Sequence, residues 1–182
     1  LPKPELVAVY HRLGSVKLEL GEKDKALNLF EKALELDPTY QPSVHAVLRI
    51  REEAEDYDRV VATKKMMMEK TGDSSEKHRL AVEIGITFQE KLHLPDKAIE
   101  FFEKALEVKP DDRATLHQLL EIHTSAEDWT RGAKVVLRLG ELENRPAAKI
   151  KYLHTAALIY RDELKDSESA LAAFEQVLDL DH

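Results

Sequence analysis

Cysteine is absent from the 182 residues, which removes disulfides, thiol nucleophiles and cysteine metal ligands from consideration. Aromatic residues make up only 6% of the chain. No apolar run approaches the roughly 18 residues that a membrane-spanning helix needs, so membrane insertion is not expected. Positive charge is also short: 27 Lys and Arg stand against 35 Asp and Glu, a formal net charge of -8. A chain that neutralised phosphates would need a basic face, so nucleic acid is not an expected partner. The first residues, LPKPELVAVYH, carry no initiator Met, no basic-then-apolar signal pattern and no cleavage site, and read as the start of an excised segment. Strand-like alternation does not persist anywhere for long.

Helical periodicity fills the space these absences leave. Leu27, Phe30, Ala33 and Leu34 form one apolar face, and Ile99, Phe102, Ala105 and Leu106 form the same face again. The underlying words are nearly identical: KALNLFEKALELDP at 25–38 returns as KAIEFFEKALEVKP at 97–110 and, more faintly, as SALAAFEQVLDLDH at 169–182. Breaks fall at Gly21, Asp37-Pro38, Gly72-Asp73, Pro95, Pro110, Asp128 and Asn144-Arg145-Pro146, and the periodicity as a whole reads as about ten helices of ~12 to 16 residues. Asp73 followed by Glu76 has the pattern of a capping box, and Pro95 suits a first helical turn.

Taken in pairs, the helices show a unit. Tyr10, Leu13, Gly14, Ala26, Phe30, Ala33 and Pro38 fall at positions 4, 7, 8, 20, 24, 27 and 32 of a window opening at Val7. These spacings resemble the tetratricopeptide repeat, with its aromatic, Leu-Gly, Ala, aromatic and Pro. Gly85 repeats the match in register in a window opening at His78, and Ala98, Phe102, Ala105 and Pro110 repeat it one residue late, because the turn KLHLPD is longer; Ala170 and Phe174 carry it a third time after ELKDSE. Two divergent units lie between, and AEDYDR at 54–59 returns in them as AEDWTR at 126–131. The repeats are placed at 7–40, 41–74, 78–112, 113–146 and 150–182, a slice of a longer array with a double-repeat period of about 72 residues. In repeat four Leu120 stands where Gly is expected and Gly132 where Ala is expected, which reads as a compensating exchange of volume. Long acidic helices and alternating divergent units give the array a bacterial look.

The resemblance implies an all-α fold: a right-handed superhelical α-solenoid of antiparallel helix pairs, first helices lining a concave groove and second helices forming the back. It implies a binding surface for another protein or peptide. In the family, positions 2, 5, 9, 12 and 13 of the first helix tend to face the groove. Here position 5 is His11, His45, Val82, His117 and His154, so four of the chain's eight His share one register. Ser15, Arg49, Arg79, Ile86, Gln89, Glu121, Lys151, Leu158 and Arg161 complete the candidate partner-binding set. Three readings of the His stay open: tolerated amphipathic residues propagated by duplication, imidazoles contacting acidic groups of a partner, or metal ligands. No HxxxH or HxxE pair lies within a single helix, and no metal or cofactor is expected.

The carboxylate clamp by which chaperone partners of this family hold a C-terminus needs Lys and Asn at defined positions. Those positions are His11, Ser15, Ala46, Arg79 and Glu83 in repeats one to three, and Val82, Ile86, Gln118, Lys151 and Thr155 in three to five. Neither set matches the clamp. Met67, at position 27, reads as core, and Tyr57 and Trp129 as wedges at the start of second helices. No phosphate loop or nucleophile elbow occurs, so the expected function is a non-catalytic interaction scaffold. Two alternatives remain: a structural spacer that self-associates through array ends, and a regulatory module of a larger enzyme.

Overall fold

The computed structural model describes residues 1–180. Ten α-helices follow one another in antiparallel pairs: α1 (Lys3–Glu19), α2 (Lys23–Leu36), α3 (Gln41–Glu53), α4 (Tyr57–Lys70), α5 (Ser74–Ile86), α6 (Pro95–Val108), α7 (Arg113–Ser125), α8 (Trp129–Glu141), α9 (Pro146–Leu158) and α10 (Ser167–Leu180). The chain divides into two compact units, one from Leu1 to Phe101 and one from Phe102 onward, with the boundary inside α6.

Helix boundaries follow the local chemistry. Pro95 and Pro146 occupy the first positions of α6 and α9, where a missing N–H costs nothing. Asp73, Asp112 and Asp128 cap α5, α7 and α8, each carboxylate accepting a hydrogen bond from a first-turn N–H. At α5 the capping box is only half made, because the Glu76 carboxylate turns to Arg79 at 2.6 and 2.8 Å.

Each first helix ends on a residue with positive φ: Gly21, Glu55, His93, Glu127 and Lys165. Around Gly21, its N–H donates to Leu18 O and the Glu22 N–H to Lys17 O, the paired closure of a Schellman turn. The longer turns of repeats three and five have a specific form. The chain winds into π-helical segments, Thr87–Lys91 and Ile159–Glu163, before turning. The Leu92 N–H then reaches Thr87 O and the Leu164 N–H reaches Ile159 O, so one extra residue is absorbed without disturbing the helix that follows.

In the first unit the core joins successive pairs. Ala26, Phe30 and Leu34 of α2 pack with Val44, Val47 and Ile50 of α3, and the cluster continues to Met67 of α4 and Leu80 of α5. Met67 is a core residue, as its register predicts. The repeat-signature residues Ala26, Phe30, Ala33, Ala98, Phe102, Ala105 and Ala170 are all buried. Tyr10, Pro38 and Phe174 are half-buried, and Leu13, at 46%, and Pro110 are exposed.

The second unit has its own close approaches. A β-carbon at Gly140 of α8 would lie 3.1 Å from Tyr152 Cβ of α9, a contact not recognised from sequence. The volume exchange expected at Gly132 is corrected. A β-carbon there would meet His123 Cβ at 4.0 Å, an ordinary contact, and Leu120 does not come within that range. Gly132 therefore leaves room beside a buried imidazole rather than compensating for Leu120.

Candidate functional site

Position 5 and its neighbours on first helices converge in the first unit. His11, Ser15, Leu18 and Glu19 of α1, Pro42, His45, Ala46 and Arg49 of α3, and the Phe30 ring line a cleft of about 470 Å³. A second cleft of about 220 Å³ adjoins it, between α3 and α5, and shares His45 and Arg49. Arg79, Glu52, Glu83 and Lys64 complete its charged lining. His45 and Arg49, one helical turn apart, thus form the ridge common to both clefts. Both are exposed, and neither makes a hydrogen bond or ion pair among the described residues.

The four His of the shared register are not equivalent. His11 is half-buried: its Nδ1 and Ser43 Oγ share a hydrogen bond of 3.1 Å, and its ring lies 5.3 Å from Phe30 and 5.5 Å from Tyr40. Burial pushes its pKa below the ordinary histidine value, favouring the neutral ring. It is a wall of the cleft and a strut between repeats. His117 is exposed on α7 of the second unit, one turn from exposed Glu121. His154 is exposed on α9, its ring edge-on to Phe174 at 5.8 Å.

Ion pairing sorts the remaining candidates. Arg79 is held by Glu76 and Glu83, which raise its pKa further and occupy its donors. Arg161 is bidentate to Asp162 at 2.6 and 2.7 Å. Lys151 is exposed and Leu158 half-buried on α9. Ile86 and Gln89 lie farther along the first unit and line neither cleft; the Gln89 Oε1 is buried without a hydrogen-bond partner.

Lys64 was missed by the sequence reading. It occupies position 24 of repeat two, where Phe30 stands in repeat one, and its side chain is only 11% exposed. Its amine pairs with Glu83 at 2.9 Å at the second cleft, so a charged floor replaces an aromatic one. The signal was present: a Lys in an aromatic register is a departure with consequences for burial. On the other side of the unit, Glu31, Leu34, Glu35, Val47, Arg51, Ala62, Thr63 and Met66 line a third cavity of about 280 Å³. Arg51 crosses it, bonded to Glu31 at 2.5 Å and to Thr63.

Helix pairs that expose a row of mixed polar side chains over an apolar floor define a repeat scaffold of the kind that binds other proteins. The comparisons agree. Tetratricopeptide repeat models match residues 7–40, 85–112 and 150–181. Among solved structures, YrrB, described as a TPR protein with an unusual peptide-binding site, superposes with a TM-score of 0.51 at 17% identity, covering 94% of this chain and 84% of its own. MamA superposes with a TM-score of 0.53 at 14% identity, covering 97% of this chain and 92% of its own. No curated protein matches. The chain belongs to the tetratricopeptide repeat family, whose domains mediate protein–protein interactions and are typically non-catalytic. No described helix is long and apolar enough to cross a membrane.

Proposed function

We propose that the chain is a non-catalytic scaffold of five helix-pair repeats whose first helices, within each unit, form a groove for a peptide or helix of another protein. The observation that carries the reading is the pair of adjoining clefts ridged by His45 and Arg49. An apolar partner side chain fits the first cleft against Leu18, Phe30, Pro42 and Ala46, where burial supplies affinity. A partner carboxylate suits the Arg49 guanidinium, whose donors are uncommitted, and the neighbouring His45. Ser15 and His11 complete that wall, and Arg79 with its two carboxylates sets the far rim.

His117 and Glu121 on α7, with Lys151, His154, Leu158 and Arg161 in and after α9, are the corresponding recognition set of the second unit. Ile86 and Gln89 belong to the same set by register in the first.

The test is a selection of randomised peptides against the chain, followed by titration of the selected peptides. Arg49→Ala is expected to weaken binding about tenfold or more, the loss of a charge-assisted hydrogen bond. Arg59→Ala, on α4, is expected to leave it unchanged. Equal affinity for Arg49→Ala and the parent would place binding outside this groove.

A further inference from the structure

The register that floors one cleft with a ring floors the next with charge. Allowing for the extra turn residue of repeats three and five, position 24 is Phe30, Phe102, Val136 and Phe174 in four repeats and Lys64 in the second. Phe30 lines the cleft of about 470 Å³ between α1 and α3. Lys64 lines the cleft of about 220 Å³ between α3 and α5, its side chain only 11% exposed.

Lys64 is one end of a chain of alternating charge. Its amine pairs with Glu83 at 2.9 Å, Glu83 also accepts from the Arg79 guanidinium, and Arg79 closes on Glu76 with two further bonds. Two cations thus stand against two carboxylates, and the floor carries no net charge. It nevertheless presents both kinds of hydrogen-bonding group, ammonium donors from Lys64 and carboxylate oxygens from Glu83.

That floor judges each class of incoming side chain differently. A carboxylate over it faces Glu83 and Glu52, whereas an ammonium or guanidinium faces Lys64 and Arg79. An apolar side chain shuts the ion pair off from water and returns no hydrogen bond. A carboxamide accepts from the amine and donates to the carboxylate together, and brings no charge to desolvate. Size points the same way, because the second cleft has less than half the volume of the first.

We propose that Lys64 sets the specificity of the groove: a bound segment lays an apolar side chain on Phe30 and, across the His45 and Arg49 ridge, an Asn or Gln side chain on Lys64 and Glu83. The inference rests on the groove reading above and adds the chemical class that the second cleft takes.

Parallel selections of randomised peptides on the parent chain and on Lys64→Met test the proposal. Met keeps an unbranched side chain, and Glu83 retains Arg79, so the fold is expected to persist, which circular dichroism checks. Peptides selected on the parent are expected to share one apolar position and one Asn or Gln position. On Lys64→Met the second position is expected to turn apolar while the first is kept. Replacing the Asn or Gln by Leu in a parent-selected peptide should weaken binding to the parent about tenfold or more, and should not weaken binding to Lys64→Met. The parent arm varies only the peptide, so it reads out whatever the fold of Lys64→Met. An acidic, basic or apolar residue at that position on the parent, or the same preference on both chains, overturns the proposal; if Arg49→Ala still weakens binding, the groove reading survives it. Peptides that hold Arg49→Ala as tightly as the parent overturn both.

Discussion

The Phe30 ring lies against Gly14 so closely that a β-carbon at position 14 would sit 2.7 Å from its Cε1. Phe30 is 1% exposed and has Ala26, Val44 and Val47 in its cluster, so the ring can yield only by giving up that packing and moving toward the cleft it lines. Gly14→Ala is therefore expected to destabilise the chain by about 1–3 kcal/mol through overpacking. Gly132 offers the contrast, since a methyl there meets only His123 Cβ at 4.0 Å. Gly132→Ala is expected to stabilise by about 0.5–1 kcal/mol, the helix-propensity difference. Urea midpoints of the two variants check both signs.

Glu55 and Glu127 hold φ of 55° and 54° at the ends of α3 and α7, where Gly21 stands at the end of α1. The left-handed conformation costs a residue with a β-carbon about 1–2 kcal/mol, part of which glycine gives back as unfolded-state entropy. Glu55→Gly and Glu127→Gly should each raise stability by roughly 0.5–1 kcal/mol. Thermal unfolding of the single and double variants measures it, with additivity expected for turns far apart in sequence.

His123 is 4% exposed beside Gly132, its Nδ1 3.7 Å from the Asp128 carboxylate. Desolvation lowers its pKa, with Arg131 in the same direction and Asp128 and Glu103 opposing. Below the ordinary value of 6.5 the unfolded chain therefore binds more protons at this site than the folded one. Stability from this group is full above that pH and declines as pH falls through it. His11 acts in the same direction. Carboxylates with lowered values, such as Glu143 at about 2, lose their contribution only at lower pH. His123→Gln should flatten the stability profile between neutral and mildly acidic pH, measured by urea unfolding; a profile as steep as the parent's would contradict the assignment.

Arg51 is 13% exposed and bridges Glu31, Thr63 and the Arg59 carbonyl. Its loss leaves the partly exposed Glu31 carboxylate without this donor and the Thr63 hydroxyl with only the bond it donates to the Arg59 carbonyl. Arg51→Ala is expected to cost about 1–3 kcal/mol, with Arg51→Lys recovering only part because a single amine cannot reproduce the fork. A denaturation series on the two variants checks the order.

The fold was legible because its signals are short-range. Phe30, Ala26 and Ala33 recur at fixed spacing in Phe102, Ala98 and Ala105, and several breaks between helices fall at Pro or Gly, although those at Glu55, Glu127 and Lys165 do not. The longer turns showed as one extra residue in KLHLPD and ELKDSE, but spacing alone did not say that the chain would wind into π turns. The groove register placed His11, Ser15, His45 and Arg49 on one cleft. What register did not reveal was occupancy: His11 is packed against Phe30 and Tyr40, and Arg79 is taken by Glu76 and Glu83. Those are long-range or side-chain facts. Gly132 was misread for a related reason, since the residue facing a helical glycine depends on crossing geometry, which placed His123 there instead of Leu120.

The most direct test of the groove follows the imidazole ring resonances of the chain by NMR while a selected peptide is added. The account predicts that the rings of His45 and His11 shift in step with saturation, along with the Arg49 side chain, while Met66 at the cavity between α2 and α4 is unmoved. Saturable shifts at Met66 with His45 and His11 unchanged would contradict it.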